Sequence, residues 1–359
     1  METNHQPLIY DLSLEQLTEL LQAWGEPKFR AAQIWNGLYQ QLLASWEEFT
    51  NLPLALRQKL QANLRIQSLT PDRVLRSTDG ETVKTLFKLE DQLAIEAVLM
   101  HYDERRTLCI STQAGCAMGC VFCATGQMGF KRNLSSGEIV EQVLYYAREL
   151  QKMGEKVTNI VYMGMGEPFH NYQATMDSID RLNHPQGMNL GERRFTISTV
   201  GLVSKIRRFA DEKRQVNLAI SLHAADNPTR SALLPVNRRW PIETLMDAVR
   251  YYIDQTHRRV TFEWALIENQ TDTPEQAHQL AALLKGMLCH VNAIPLNPTR
   301  KFAGQAAGRE RAETFRAILE KAGVPCTIRM RRGIDIQAGC GQLATESLDN
   351  PSSNVIISN

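Results

Sequence analysis

The chain has 359 residues, 43% hydrophobic and 22% charged, with a formal net charge of +1. That balance suits a globular protein with a substantial core, and no apolar run approaches the length of a membrane span. The opening residues, METNHQPLIYDLS, are polar where a secretory leader is basic and then apolar, so a cytoplasmic protein with no membrane partner is expected. Seven cysteines, three of them within eight residues, fit metal ligation or redox chemistry in a reducing compartment better than a disulfide framework.

In chain order, Ser13 and Gln16 form a capping-box pair, and Leu14, Leu17, Leu21 and Trp24 then share a helical face that Gly25 ends. After Pro27 a second helix is expected, with Phe29, Ala32, Trp35, Leu38, Tyr39 and Leu42 inward and Lys28 and Arg30 outward. Residues 1–75 therefore read as a small helical domain. Between Glu81 and Met100 the period changes to two, with Val83, Thr85, Phe87 and Leu89 on one face and Ile95, Ala97 and Leu99 after a break, which predicts a β-hairpin within a linker over 76–106.

Six β-rich runs follow: TLCIS at 107, NIVYM at 159, RFTIS around 195, VNLAIS at 216, VTFEWAL at 260 and VNAIPL at 291. Helix-like stretches separate them, one of them capped by Ser135 with Glu138 at its third position. The alternation predicts an α/β fold, a parallel (βα)6 barrel, open or closed. A helix near 309–322, a strand-like CTIRMRRGIDI and a loop with Cys340 between Gly339 and Gly341 complete it, so the barrel unit runs over 107–343 and 344–359 is expected to be a frayed tail.

Cys116, Cys120 and Cys123 have C-x3-C-x2-C spacing just after the first barrel strand. Three thiolates on one loop can hold three irons of a 4Fe-4S cubane and leave the fourth open to an external ligand such as S-adenosylmethionine (SAM). A structural zinc site, which would make the chain a non-enzymatic zinc or RNA-binding module, needs a fourth ligand, and no C-x2-C partner is present. The strand tips of a βα barrel form its site. Here they offer Gly166 and Glu167, then Ser198, then Ser221, Leu222 and His223, then Asn297: groups that suit amino-acid, ribose and adenine parts. A plain turn at Gly166 and a surface role for His223 are the alternative readings.

Cys109 lies on the first barrel strand, seven residues before the triplet, where a small buried thiol is unremarkable. Cys340, flanked by glycines in a polar loop, has the mobility a shuttling thiol requires. Cys289 and Cys326 stand in apolar, strand-like contexts and read as structural. Glu96 interrupts an apolar run, AIEAVL, where burial would raise its pKa; an exposed edge glutamate is the alternative.

Taken together, LCISTQAGCAMGCVFCATGQMGFKRNL, YMGMGEP, ISTVG, ISLHA, PLNP and IDIQAGCGQL resemble the RlmN-type dual-specificity rRNA and tRNA adenine methyltransferases of the radical SAM superfamily. The resemblance runs from the hairpin to Leu343 and includes a helical accessory domain. It implies methylation of carbon 2 of an adenine in 23S rRNA and of a tRNA adenine beside the anticodon. The cofactors it implies are one 4Fe-4S cluster on Cys116, Cys120 and Cys123, and two SAM molecules per turnover. In the family one SAM methylates a cysteine matching Cys340, and a second yields a 5′-deoxyadenosyl radical that takes hydrogen from that S-methyl group. The methylene radical adds to the ring, a residue matching Glu96 accepts the ring proton, and a residue matching Cys109 releases the product by forming a disulfide with Cys340.

An electron donor protein and a monomeric state are expected. RNA binding would fall to the N-terminal helices and to the Arg-Arg pairs beginning at Arg105, Arg193, Arg207, Arg238, Arg258 and Arg331. The related Cfr-type enzymes, which methylate carbon 8, are the neighbouring alternative.

Overall fold

The computed structural model describes residues 6–345. Three N-terminal helices, Leu14–Ala23, Phe29–Tyr39 and Leu54–Asn63, precede twelve strands. These are β1 (Leu69–Arg76), β2 (Thr82–Leu89), β3 (Ala94–His101), β4 (Arg106–Cys109), β5 (Gln113–Gly115), β6 (Phe130–Asn133), β7 (Asn159–Tyr162), β8 (Phe195–Thr199), β9 (Asn217–Ser221), β10 (Val260–Leu266), β11 (Cys289–Pro295) and β12 (Cys326–Ile328). Ten of them form one sheet in the order β1-β2-β3-β4-β7-β8-β9-β10-β11-β12. From β4 onward neighbours are parallel; from β1 to β4 they are antiparallel.

The six expected barrel strands are therefore β4, β7, β8, β9, β10 and β11, with helices between them as alternation requires. Because β1 and β12 end the sheet without pairing to each other, the barrel is a partial one. The other two strands, β5 and β6, form a separate ribbon at the foot of the cysteine loop.

Three sequence expectations need adjustment. In the second helix Phe29 and Ala32 are exposed and Leu42 lies beyond the last turn, whereas Ala31, Ile34, Trp35, Leu38 and Tyr39 are buried. The helix is rotated so that the 31, 34/35, 38/39 stripe faces the core, and Arg30 covers the exposed Phe29 ring at 4.8 Å. The hairpin gains a third strand, β1, hidden because Pro71 and a register shift at Pro71/Arg73 break its alternation. Only Cys326–Ile328 of CTIRMRRGIDI joins the sheet. Most of the expected tail, residues 346–359, lies outside the described residues.

Both capping boxes form, at Ser13/Gln16 and at Ser135/Glu138. One hydrophobic core joins Leu17, Trp35 and Leu60 of the N-terminal helices to Ile160, Phe262 and Leu319 of the barrel. Buried polar contacts fix that junction. Asp11 Oδ1 accepts the Gly137 N–H at 2.7 Å, at the start of the helix Ser136–Lys152. Further along that helix Glu141 accepts from the Ser68 N–H, the Ser68 hydroxyl and the Leu69 N–H.

Burial pushes the Glu141 carboxyl up to about 7 against those bonds. A carboxyl whose folded pKa is raised binds its proton more readily in the native state, so its contribution is full below the unfolded value near 4.5 and fades as pH climbs to about 7. Glu141→Gln is thus expected to flatten the loss of unfolding free energy between pH 5 and 7, measured by denaturant titration. An unchanged pH slope would contradict the assignment.

Candidate active site

The parallel strands share one C-terminal rim, and a cavity opens there. It is lined by Cys109, Cys116, Cys120, Cys123, Gly166, Glu167, Ser198, Ser221, His223, Asn297 and Cys340. Eleven of the thirteen expected site residues are therefore gathered around one space. The two others stand apart: the Leu222 side chain is buried away from the cavity, and Glu96 lies beneath the Cys340 loop.

The cysteine loop rises from the β5–β6 ribbon. The Cys116 N–H bonds the Gly129 carbonyl at 3.0 Å, and the Val121 N–H bonds the Leu233 carbonyl at 3.1 Å. After Cys123 the chain turns into the helix Ala124–Met128 and folds back over Cys120. Gly126 permits this, since a Cβ there would stand 2.9 Å from the Cys120 carbonyl oxygen.

Cys116 and Cys120 are buried and Cys123 half-buried. Burial, reinforced by the neighbouring thiols, holds the Cys120 thiol far above its ordinary value, and burial pushes Cys116 up to about 12. Buried thiols of this kind ionise when a cationic centre compensates them. Among the described residues no three His, Cys, Asp or Glu side chains converge as ligands of one metal ion. A cubane makes a different demand, one thiolate for each of three irons, which three thiols of one loop facing one cavity satisfy.

Polar groups at the rim are held in place. After β7, Gly166 has φ +99°, and a Cβ there would meet Gln113 Cβ at 2.6 Å. Glu167 next to it accepts the Phe169 and Val200 N–H groups, both at 2.9 Å, and burial lifts its carboxyl to about 7. Ser198 and Ser221 face each other at 3.3 Å between hydroxyls. The His223 Nδ1 accepts the Ala265 N–H at 2.9 Å, so Nε2 carries the hydrogen; burial, and then Arg230, pushes its pKa down to about 3 and keeps the ring neutral. Asn297 donates to the Cys340 carbonyl at 3.0 Å, while its buried Oδ1 has no partner and remains an acceptor for a ligand.

Arg230 braces this rim. Fully buried, its guanidinium donates to the carbonyls of Val200, Ser221 and Leu222 and to Asn237 Oδ1, joining the β8 and β9 tips. Arg230→Met orphans these acceptors and is expected to cost about 3 kcal/mol or more, read from the denaturation midpoint; a change below about 0.5 kcal/mol, the range of surface substitutions, would contradict the bracing role.

Cys109 and Cys340 are both free thiols. Burial raises the Cys109 pKa, and the nearby Cys340 charge raises it further. Two charged lining residues escape the sequence reading: Glu263, inside β10, and Arg329, after β12. Glu263 is buried, accepts from Asn292 Nδ2 at 2.6 Å and is lifted by burial to about 7. A lone carboxylate in the otherwise uncharged VTFEWAL is the signal that could have marked it.

Cubane-compatible thiols at the rim of a partial barrel define a radical SAM protein, and residues 110–281 match the Radical SAM superfamily. Residues 8–66 match the ribosomal RNA large subunit methyltransferase N-terminal domain. The chain is 51% identical over 353 residues to a probable dual-specificity RNA methyltransferase RlmN of Chloroflexus aurantiacus, covering 94% of this chain and 93% of that one. With the dual-specificity RNA methyltransferase RlmN 1 of Myxococcus xanthus it shares 49% identity, with 93% of each covered. A crystal structure of a radical SAM methyltransferase from Sphaerobacter thermophilus superposes with a TM-score of 0.93 at 50% identity, covering 95% of this chain and all of the other. The chain belongs to the RlmN family of dual-specificity RNA methyltransferases, SAM-dependent enzymes of the radical SAM superfamily. No described helix is long and apolar enough to cross a membrane.

Proposed function

We propose that this protein adds a methyl group to carbon 2 of an adenine in 23S rRNA and in tRNA beside the anticodon, with Cys340 carrying the incoming carbon. The observation that carries the reading is the sharing of one cavity by Cys340, Cys109 and the Cys116, Cys120, Cys123 loop. Carbon 2 has no nucleophilic lone pair, so direct displacement from a sulfonium cannot methylate it. One 4Fe-4S cluster and two SAM molecules per turnover, when bound, supply the methyl group and a carbon-centred radical, with an electron donor protein as the source of electrons.

The chain's own residues do the rest. Glu167 orders the β7 and β8 tips, and Ser198, Ser221, the neutral His223 and the unpaired Asn297 Oδ1 offer polar contacts to the amino-acid, ribose and adenine parts of SAM. Leu222 offers its buried position and carbonyl to the rim rather than its side chain. Cys340 presents the carbon, Glu96 accepts the ring proton, and the Cys109 thiolate attacks the Cys340 sulfur, so that the S–S bond forms as the S–C bond to the RNA breaks and the released carbon takes up a proton to become the methyl group.

RNA contact is favoured by Arg329, which lines the cavity, and by Arg105, which stacks on Tyr102 at 5.0 Å; Arg332 stacks on the same ring at 4.5 Å but is held there by Glu81 and the His101 carbonyl. Other arginines of the Arg-Arg pairs serve the fold: Arg106 pairs with Glu155, Arg208 with Glu212, and Arg258 bonds Asn217.

Mass spectrometry of nucleosides from RNA modified by this protein tests the proposal. It predicts 2-methyladenosine; 8-methyladenosine alone would assign the carbon 8 reaction instead. Purified protein that takes up zinc but no iron and leaves SAM intact under reduction would remove the radical reading altogether.

A further inference from the structure

One buried ion pair grips the Cys340 loop on both sides. Lys84 on β2 and Glu96 on β3 are each 4% exposed, and Lys84 Nζ stands 3.0 Å from Glu96 Oε1. Lys84 also donates to the Gln337 carbonyl at 3.2 Å, and Glu96 Oε2 accepts the Ala344 N–H at 2.9 Å. Cys340 sits between these two attachments. Ties inside the segment are between neutral groups: Asn297 to the Cys340 carbonyl, the Ala124 N–H to the Gly341 carbonyl, Gln342 to the Pro298 carbonyl and Thr125 to the Leu343 carbonyl.

We propose that Lys84 is a positioning residue that clasps the Cys340 loop through Glu96, and that a proton arriving on Glu96 opens the clasp. The inference rests on Glu96 being the proton acceptor of the reading above. It adds an order to the events. While Glu96 is a carboxylate, both of its oxygens hold charge-assisted bonds, which are about twice as strong as neutral ones. The proton that leaves carbon 2 of the adenine ends on a Glu96 oxygen, and the C–H bonding pair stays in the ring. Glu96 then loses its charge toward both Lys84 and the Ala344 N–H, and the loop loosens at its C-terminal attachment. Cys340 becomes free to turn toward Cys109 only after the ring proton has gone, so a covalently held RNA is not released half-reacted.

The test uses the full-length reconstituted protein without RNA. Hydrogen–deuterium exchange over 337–344 and the rate of Cys340 alkylation by N-ethylmaleimide are compared for wild type, Glu96→Gln as the neutral mimic, Lys84→Met and Lys84→Arg. Glu96→Gln and Lys84→Met are expected to raise both rates about tenfold, the size of losing one charged hydrogen bond, with exchange in β2 and β3 unchanged. Lys84→Arg should restore rates to within about twofold of wild type, as a retained charge predicts. Loop rates equal to wild type in Glu96→Gln and Lys84→Met would overturn the clasp, and so would a rise spread evenly over β2 and β3. A wild type that methylates RNA but has a loop indifferent to both variants refutes the clasp alone. A responsive loop in a protein that never methylates RNA refutes only the assigned reaction.

Discussion

Cys340→Ala is expected to abolish RNA methylation, by at least about a hundredfold, because the proposed reaction carries the incoming carbon on the Cys340 sulfur. The same variant should lose the methyl label that SAM leaves on the protein. Cys340 is exposed on a loop, so its truncation is expected to alter stability by no more than about 0.5 kcal/mol. The loss is therefore chemical, and a melting curve beside the label assay separates it from unfolding. Undiminished RNA methylation by Cys340→Ala would exclude the carrier role.

Cys120→Ser is expected to have an equally large effect by a different route. Cys120 is buried among Leu233, Leu234, Ile267 and Leu296 and lines the cavity with Cys116 and Cys123. Serine fills nearly the same volume but offers no thiolate, so iron binding and reductive SAM cleavage should both fall to background. An unpaired buried hydroxyl costs about 1–3 kcal/mol, too little to unfold a protein of this size. Iron content and 5′-deoxyadenosine release, measured with the melting temperature, check this; full iron retention would remove Cys120 from the ligand set.

How far the sequence reached depends on how local each signal is. The cysteine loop is the clearest case: Cys116, Cys120 and Cys123 lie within eight residues, so spacing alone brings the thiols together. The barrel strands were legible because each is a short apolar run between helical stretches, and the cap at Ser135 needs only its own first turn. The strand β1 was not, since Pro71 and a register shift interrupt it and β2 supplies its pairing. The phase of the second helix failed at its first turn, where Phe29 is hydrophobic yet lies outside the core.

Within the site, the tips at Ser198, Ser221, His223 and Asn297 follow from the rule that a βα barrel works at its strand ends. Glu263 stayed hidden because it sits inside β10, where alternation says only that it faces one side of the sheet. Glu96 was recognisable as a buried carboxylate. Its grip on Ala344 was not, because that contact joins residues 248 positions apart. Lys84 is the same case: nothing in TVKTLFKL marks the first of its two lysines as the partner of a loop far along the chain.

The most direct test of the carrier chemistry uses SAM whose methyl group bears three deuteriums, with product RNA analysed by mass spectrometry. One deuterium should leave with 5′-deoxyadenosine when the methyl on Cys340 becomes a methylene radical, and the released carbon should regain hydrogen from water. The adenine should therefore carry a CHD2 group and the 5′-deoxyadenosine one deuterium. An adenine bearing an intact CD3 group would mean transfer in a single displacement and would contradict the role given to Cys340.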